Sequence, residues 1–153
     1  MRTLLLLCCL MSISLVSAQR NGYKNITEKN GMIGIGTKSP DQMLTVKGKI
    51  HTQEVMVDLN GAVAPDYVFE AYFEGTSSIK SSYQMPTLDE VAAYIKEHHH
   101  LPGVPSANTI AQDGLSLKQM NLLLLEKVEE LTLYTIEQER RIKALENALD
   151  KTE

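Results

Sequence analysis

Positions spaced alternately four and three residues apart run without a break through Leu117, Asn121, Leu124, Val128, Leu131, Thr135, Gln138, Ile142, Leu145 and Leu149. Seven of the ten are apolar. A seam of this period sustained over more than four heptads predicts a coiled-coil helix over residues 117–153. With Val128 and Ile142 at heptad position a, the d positions are Leu117, Leu124, Leu131, Gln138 and Leu145. No Pro or Gly interrupts the stretch, which as a helix would be roughly 50 Å long at ~1.5 Å per residue. A lone helix with one such stripe would leave it in water, so partner helices are implied. Asn121 and Thr135 at a, and Gln138 at d, are polar layers of the kind that cost stability but specify register and oligomer state.

Upstream the period changes. Ile33 and Ile35 alternate with Gly34 and Gly36; after the turn Lys38-Ser39-Pro40-Asp41, residues Leu44, Val46, Gly48, Ile50 and Thr52 alternate with polar neighbours, and Val55 and Val57 continue. This predicts a β-rich segment over residues 31–62, with one face turned inwards. Two or three such short strands do not make a stable sheet alone in water, so partners from other chains are expected. The pair Gly34 and Gly36 lacks the third glycine and following helix of a phosphate-binding loop. Residues 19–30 are polar and read as a flexible arm.

Residues 63–116 read as a small assembly domain with short helices. Thr87 with Glu90 forms a capping box after Pro86, and the helix from Leu88 to Glu97 puts Leu88, Val91, Ala92 and Ile95 on one face. Ser106 caps a short helix that Gly114 ends. Ser116 with Gln119 is a second capping box, opening the long helix. The run Leu122 to Leu125 is apolar nearly all round and predicts burial on several sides, with the unit 86–115 packed against the base of the coiled coil.

The first residues are of another kind. Met1 and Arg2, an apolar run from Leu4 to Val16, then Val16-Ser17-Ala18 make a secretory signal peptide, residues 1–18, cleaved after Ala18. The run is too short to span a membrane comfortably, and Cys8 and Cys9 follow leucine, which does not suit a lipoprotein. Secretion to the periplasm, cell surface or medium is therefore expected, with no membrane contact after cleavage. Both cysteines go with the signal, so the mature chain forms no disulfide. Of 15 basic residues Arg2 goes too, leaving 14 against 19 acidic, a net charge of −5. Nothing basic is clustered, which argues against a nucleic-acid partner.

Two resemblances add to this. Arg141-Ile142-Lys143-Ala144-Leu145-Glu146 resembles the Arg-h-x-x-h-Glu signature of parallel three-stranded coiled coils. Arg141 falls at g and Glu146 at the following e, so the two can pair between adjacent chains. The β-branched a, Leu d choice by itself leans towards dimers, which makes a homodimer the alternative to a homotrimer. The segment Ile33-Gly34-Ile35-Gly36-Thr37-x-x-Pro40-x-x-x-Leu44-x-Val46-x-Gly48-x-Ile50 looks like one found in phage tail fibres and related secreted proteins. With Pro65-Asp66-Tyr67-Val68-Phe69, Pro86-Thr87-Leu88, His100-Leu101-Pro102 and Lys127-Val128-Glu129-Glu130-Leu131, it makes the chain similar to bacterial secreted tail-fibre-domain proteins. These are distantly similar to the C-terminal intramolecular chaperone domain of endosialidase tailspikes. The resemblance covers residues 31–145. It implies a trimeric β-shaft before a C-terminal assembly domain, in a fibre tip or adhesin-like stalk, as a fibre or cell-surface component. The tailspike domain cuts itself at a Ser-Asp step, and the mature chain contains no Ser-Asp dipeptide; no catalytic residue carries over. Residues 71–84 look longer than the family's link and read as a loop insertion.

Chemistry elsewhere is sparse. There is no nucleophile elbow, no zinc spacing and no mature cysteine nucleophile. Asp89-Glu90 reads as helix capping, Glu129-Glu130 as a solvated face, and Asp66-Tyr67 as a turn and a packed aromatic. His98-His99-His100 is the one run with metal chemistry, with His98 and His100 as candidate ligands. Consecutive helical residues point apart, and His⁺ at a helix C-terminus is favourable for the dipole alone; the reading is no metal and no cofactor. His100 reads as packed and hydrogen-bonded. The fold class expected is α+β: a short N-terminal β-segment, trimeric and shaft-like; a small helical unit; and a long C-terminal helix forming a parallel trimeric coiled coil. The expected function is non-enzymatic and structural, the C-terminal domain driving trimerisation. An autoprocessing fibre chaperone and a ligand- or metal-binding surface module are the alternatives.

Overall fold

A computed structural model describes residues 23–151. The signal peptide expected at residues 1–18, with Cys8 and Cys9, lies outside them. The architecture is α+β, with one three-stranded sheet and four helices among the described residues. The chain divides into two compact units between Val55 and Met56.

The first unit is built on a hairpin. Strands β1 (Ile26–Lys29) and β2 (Met32–Ile35) are antiparallel, with Lys29 opposite Met32. The two-residue loop Asn30-Gly31 has positive φ at both positions, 54° and 78°. That conformation matches the twist of a hairpin and favours Asn-Gly. The sequence reading puts residues 26–29 in a flexible arm; β1 occupies them instead, because the Asn-Gly turn folds them back onto β2.

Strand β3 (Leu44–Val46) lies parallel to β2, pairing Ile33 with Leu44 and Ile35 with Val46. The intervening loop is held from within. Thr45, buried, accepts hydrogen bonds from the backbone N–H groups of Asp41 and Gln42 and donates to Asp41 Oδ1 at 2.8 Å. Gly34 is needed for close approach, since a Cβ there would stand 2.5 Å from the carbonyl oxygen of Thr37. The three strands thus pair within one chain, which the expectation of partner strands from other chains did not include. The β pattern predicted from Gly48 to Val57 forms no strand. Gly36 turns the chain out of β2 with φ of 73°, so after Lys47 bonds Ile35 no strand lies alongside to continue the ladder.

The second unit holds the helices. Helix α1 (Tyr67–Glu74) follows Pro65 and stops at Gly75, left-handed at φ 81°, whose N–H bonds the Ala71 carbonyl. Its first residues are part of the Tyr-Val-Phe motif, but its last turn lies where a loop insertion is predicted. Helices α2 (Leu88–His98) and α3 (Ala107–Asp113) carry the predicted caps: the reciprocal Thr87–Glu90 box, and Ser106 accepting from the Thr109 N–H. Helix α4 (Leu117–Leu149) is continuous for 33 residues, with Ser116 accepting from the Gln119 N–H.

The core of this unit is small: Tyr67, Val68 and Leu133, ringed by Tyr72, Tyr83 and Met85. The packed helix pair is α1 with α4. This differs from the expected packing of residues 86–115 against the coiled-coil base, since no residue of α2 or α3 is buried. The run Leu122–Leu125 also differs: Leu122 and Leu123 are half-buried, and Leu124 and Leu125 are exposed. One α1 of eight residues is too short to cover α4 on more than one side. No helix among the described residues is long and apolar enough to cross a membrane.

Candidate assembly face and the polar cluster behind it

On α4 the faces are used in the reverse of the usual order. Amphipathic helices bury the apolar stripe and solvate the charged one. Here Leu117, Leu124, Val128, Leu131, Ile142 and Leu145 of the seam are 48–66% exposed. Asn121, Thr135, Gln138 and Glu146 are exposed with them, and so is Leu149. The buried residues of the helix are Glu126, Glu129, Glu130 and Leu133, at heptad positions f, b, c and f.

Side chains from α1 and the loop after it bury these charges. Glu70 accepts from the hydroxyls of Ser77 and Ser78, which holds its carboxyl down at about 2 and pins residues 77–80 against α1. Ser77, itself buried, accepts from the N–H groups of Ile79 and Lys80. The segment read as an inserted loop is therefore a strap, and it delivers Lys80 and Tyr83 to the face of α4.

There Tyr67 donates its hydroxyl to Glu126, and Lys80 Nζ donates to the Tyr67 oxygen at 3.2 Å while lying 4.4 Å from the ring centroid. Lys127 bridges Glu126 and Glu130, 2.9 Å from each, and Tyr83 donates to Glu130 at 2.9 Å. The Tyr67 and Tyr83 rings sit 5.0 Å apart. Burial raises the Glu126 pKa, but Tyr67, Lys127 and Lys80 outweigh it and hold the carboxyl below its ordinary value. Burial followed by the facing carboxylates drives both tyrosines well above theirs. Both phenols therefore stay protonated as donors, and two lysines balance two glutamates.

Glu129 stands outside this balance. Its Oε2 is buried and has no hydrogen-bond partner, and burial together with Asp66 and Glu126 raises its pKa. The predicted solvated face at Glu129-Glu130 is thus in fact the buried one; α1 and the strap cover it. Asp89 and Glu90 do lie in the first turn of α2, where Glu90 closes the capping box. Tyr67 is the packed aromatic expected, and Asp66 is the N-cap of α1.

Arg141, expected to reach Glu146 of another chain, bonds Glu137 of its own helix at 3.0 Å, on an exposed face. The rings of Tyr94, His98 and His100 form a triangle, with His98 4.2 Å and His100 5.5 Å from Tyr94 and 6.1 Å from each other, and His100 Nδ1 is 3.0 Å from the Leu101 carbonyl. No group of three or more His, Cys, Asp or Glu side chains among the described residues is placed to hold a metal ion.

A second bare apolar face lies on the sheet. The register puts Ile26, Ile33, Ile35, Leu44 and Val46 on one side, with Glu28 beside them opposite Ile33. The first four are 39–57% exposed.

Comparisons with protein-family models, with curated proteins and with solved structures found no match.

Proposed function

We propose that this is a secreted, non-enzymatic structural protein that assembles with copies of itself as a parallel homotrimer through the α4 seam. The observation that carries the reading is the reversed use of α4. Its charged face is packed against its own chain, and its apolar face is left in water along the helix. Each leucine of the seam would contribute about 1.5–3 kcal/mol on burial, and a heptad seam is shaped to be buried by another helix. The polar layers would fix the register, and the Arg141–Glu146 spacing, which resembles the three-stranded signature, favours three parallel chains over two. The bare face of the sheet fits an assembly in which both units meet partners. The resemblance to tail-fibre-domain proteins points the same way, towards a fibre tip or stalk.

The test is made on the protein secreted from the full-length gene. Intact mass spectrometry should return a chain beginning at Gln19 and uncut thereafter; light scattering should return three times that mass. A single-chain mass in solution would overturn the assembly reading. A secreted protein cut within residues 19–153 would favour an autoprocessing chaperone.

A further inference from the structure

A cavity of about 630 Å³ opens along α4 between Leu133 and Arg141. Tyr72, Met85 and Leu88 form its far wall, and Tyr134, Gln138 and Arg141 form its near rim. At 100° per residue, heptad positions follow one another round a helix as a, e, b, f, c, g, d. The cavity therefore flanks α4 on its c, g and d side, continuous with the exposed seam. In a parallel bundle the d and g flank of one helix meets the a and e flank of the next, with b just beyond.

At b, level with the cavity along the axis, stands Ile136. It is apolar, lies outside the seam and is 39% exposed, and its own chain offers it no core. The following b positions, Lys143 and Asp150, are charged. Arg141 is on the cavity rim at g, with Asp89 and Glu137 also in the lining; it bonds Glu137 of its own helix at 3.0 Å, and the neighbour brings Glu146 at e to the same guanidinium.

We propose that this cavity is a socket for a second copy of the chain, entered in a parallel, in-register assembly by the neighbour's Ile136. The inference rests on the assembly reading above. It adds that recognition between copies extends past the seam to the wall built by Tyr72, Met85 and Leu88. Chains would then be matched by their small domains as well as by their helices.

The test uses the full chain with Cys8→Ser and Cys9→Ser, carrying Leu88→Cys and Ile136→Cys, treated with a short bis-maleimide. Covalent multimers on a denaturing gel, absent from either single-cysteine chain, are expected. Single chains on that gel, from a protein that light scattering finds oligomeric, would overturn the socket and leave the seam standing. A single-chain mass in solution before cross-linking would overturn both. Ile136→Lys, in the chain otherwise unchanged, should weaken association at least tenfold while the helical signal of the concentrated protein persists. Unchanged association would also overturn the socket.

Discussion

Tyr67 and Glu126, 59 residues apart in sequence, share a buried hydrogen bond that ties the start of α1 to the middle of α4. Glu126 keeps its charge there because Tyr67, Lys127 and Lys80 all face it. Tyr67→Phe removes the donor and leaves the carboxylate buried. A loss of about 1–3 kcal/mol is expected, read as a lower urea midpoint with an unchanged slope.

Leu131 and Leu133 are two residues apart on α4, yet one is 64% exposed and the other 1%. Leu133→Ala should cost about 2–5 kcal/mol of folding stability by emptying the core. Leu131→Asp with Leu145→Asp should instead act on assembly. Light scattering should then find single chains, with loss of any helical signal that depends on partners. Retention of the wild-type mass in that double variant would refute the seam.

Glu129 makes stability depend on pH in a defined direction. Its pKa is raised in the folded chain above the ordinary 4.5. The folded state therefore binds its proton more tightly than the unfolded one. The stabilisation is complete below the unfolded value and is lost as pH rises through the folded value. Glu129→Gln should stabilise the fold at pH 7 by on the order of 1 kcal/mol, read as a higher urea midpoint, and make no difference near pH 4. An equal effect at both pH values would mean that the charge is not the cause.

Helix α2 has no buried residue, so its start depends on local bonds. Thr87 accepts from the Glu90 N–H, and Glu90 accepts from the Thr87 N–H at 2.7 Å. Thr87→Ala should cost α2 about 0.5–2 kcal/mol. The effect should be seen as faster hydrogen exchange of the α2 amides alone, with those of α1 and α4 unchanged.

Gly34→Ala would place a Cβ against the Thr37 carbonyl. Backbone must move to admit it, so pairing of β2 with β3 should loosen. Amide exchange at Ile33 and Lys47, which bond Met43 and Ile35 across this pair, should quicken.

What sequence alone determined is local. The span of α4, the Thr87 and Ser106 caps and the alternation in β2 and β3 depend on neighbours within a turn or a strand. Such neighbours are read directly from spacing. The hairpin of β1 belongs here too, since Asn30-Gly31 is its signal and the reading of residues 19–30 as an arm passed over it. Tertiary structure alone decided which face of α4 is covered. A glutamate at b, c or f has the same spacing whether water or a tyrosine meets it. Tyr67 and Tyr83 reach Glu126 and Glu130 from 59 and 47 residues away. Only the folding of α1 and its strap onto the helix buried the charges and left the leucines bare.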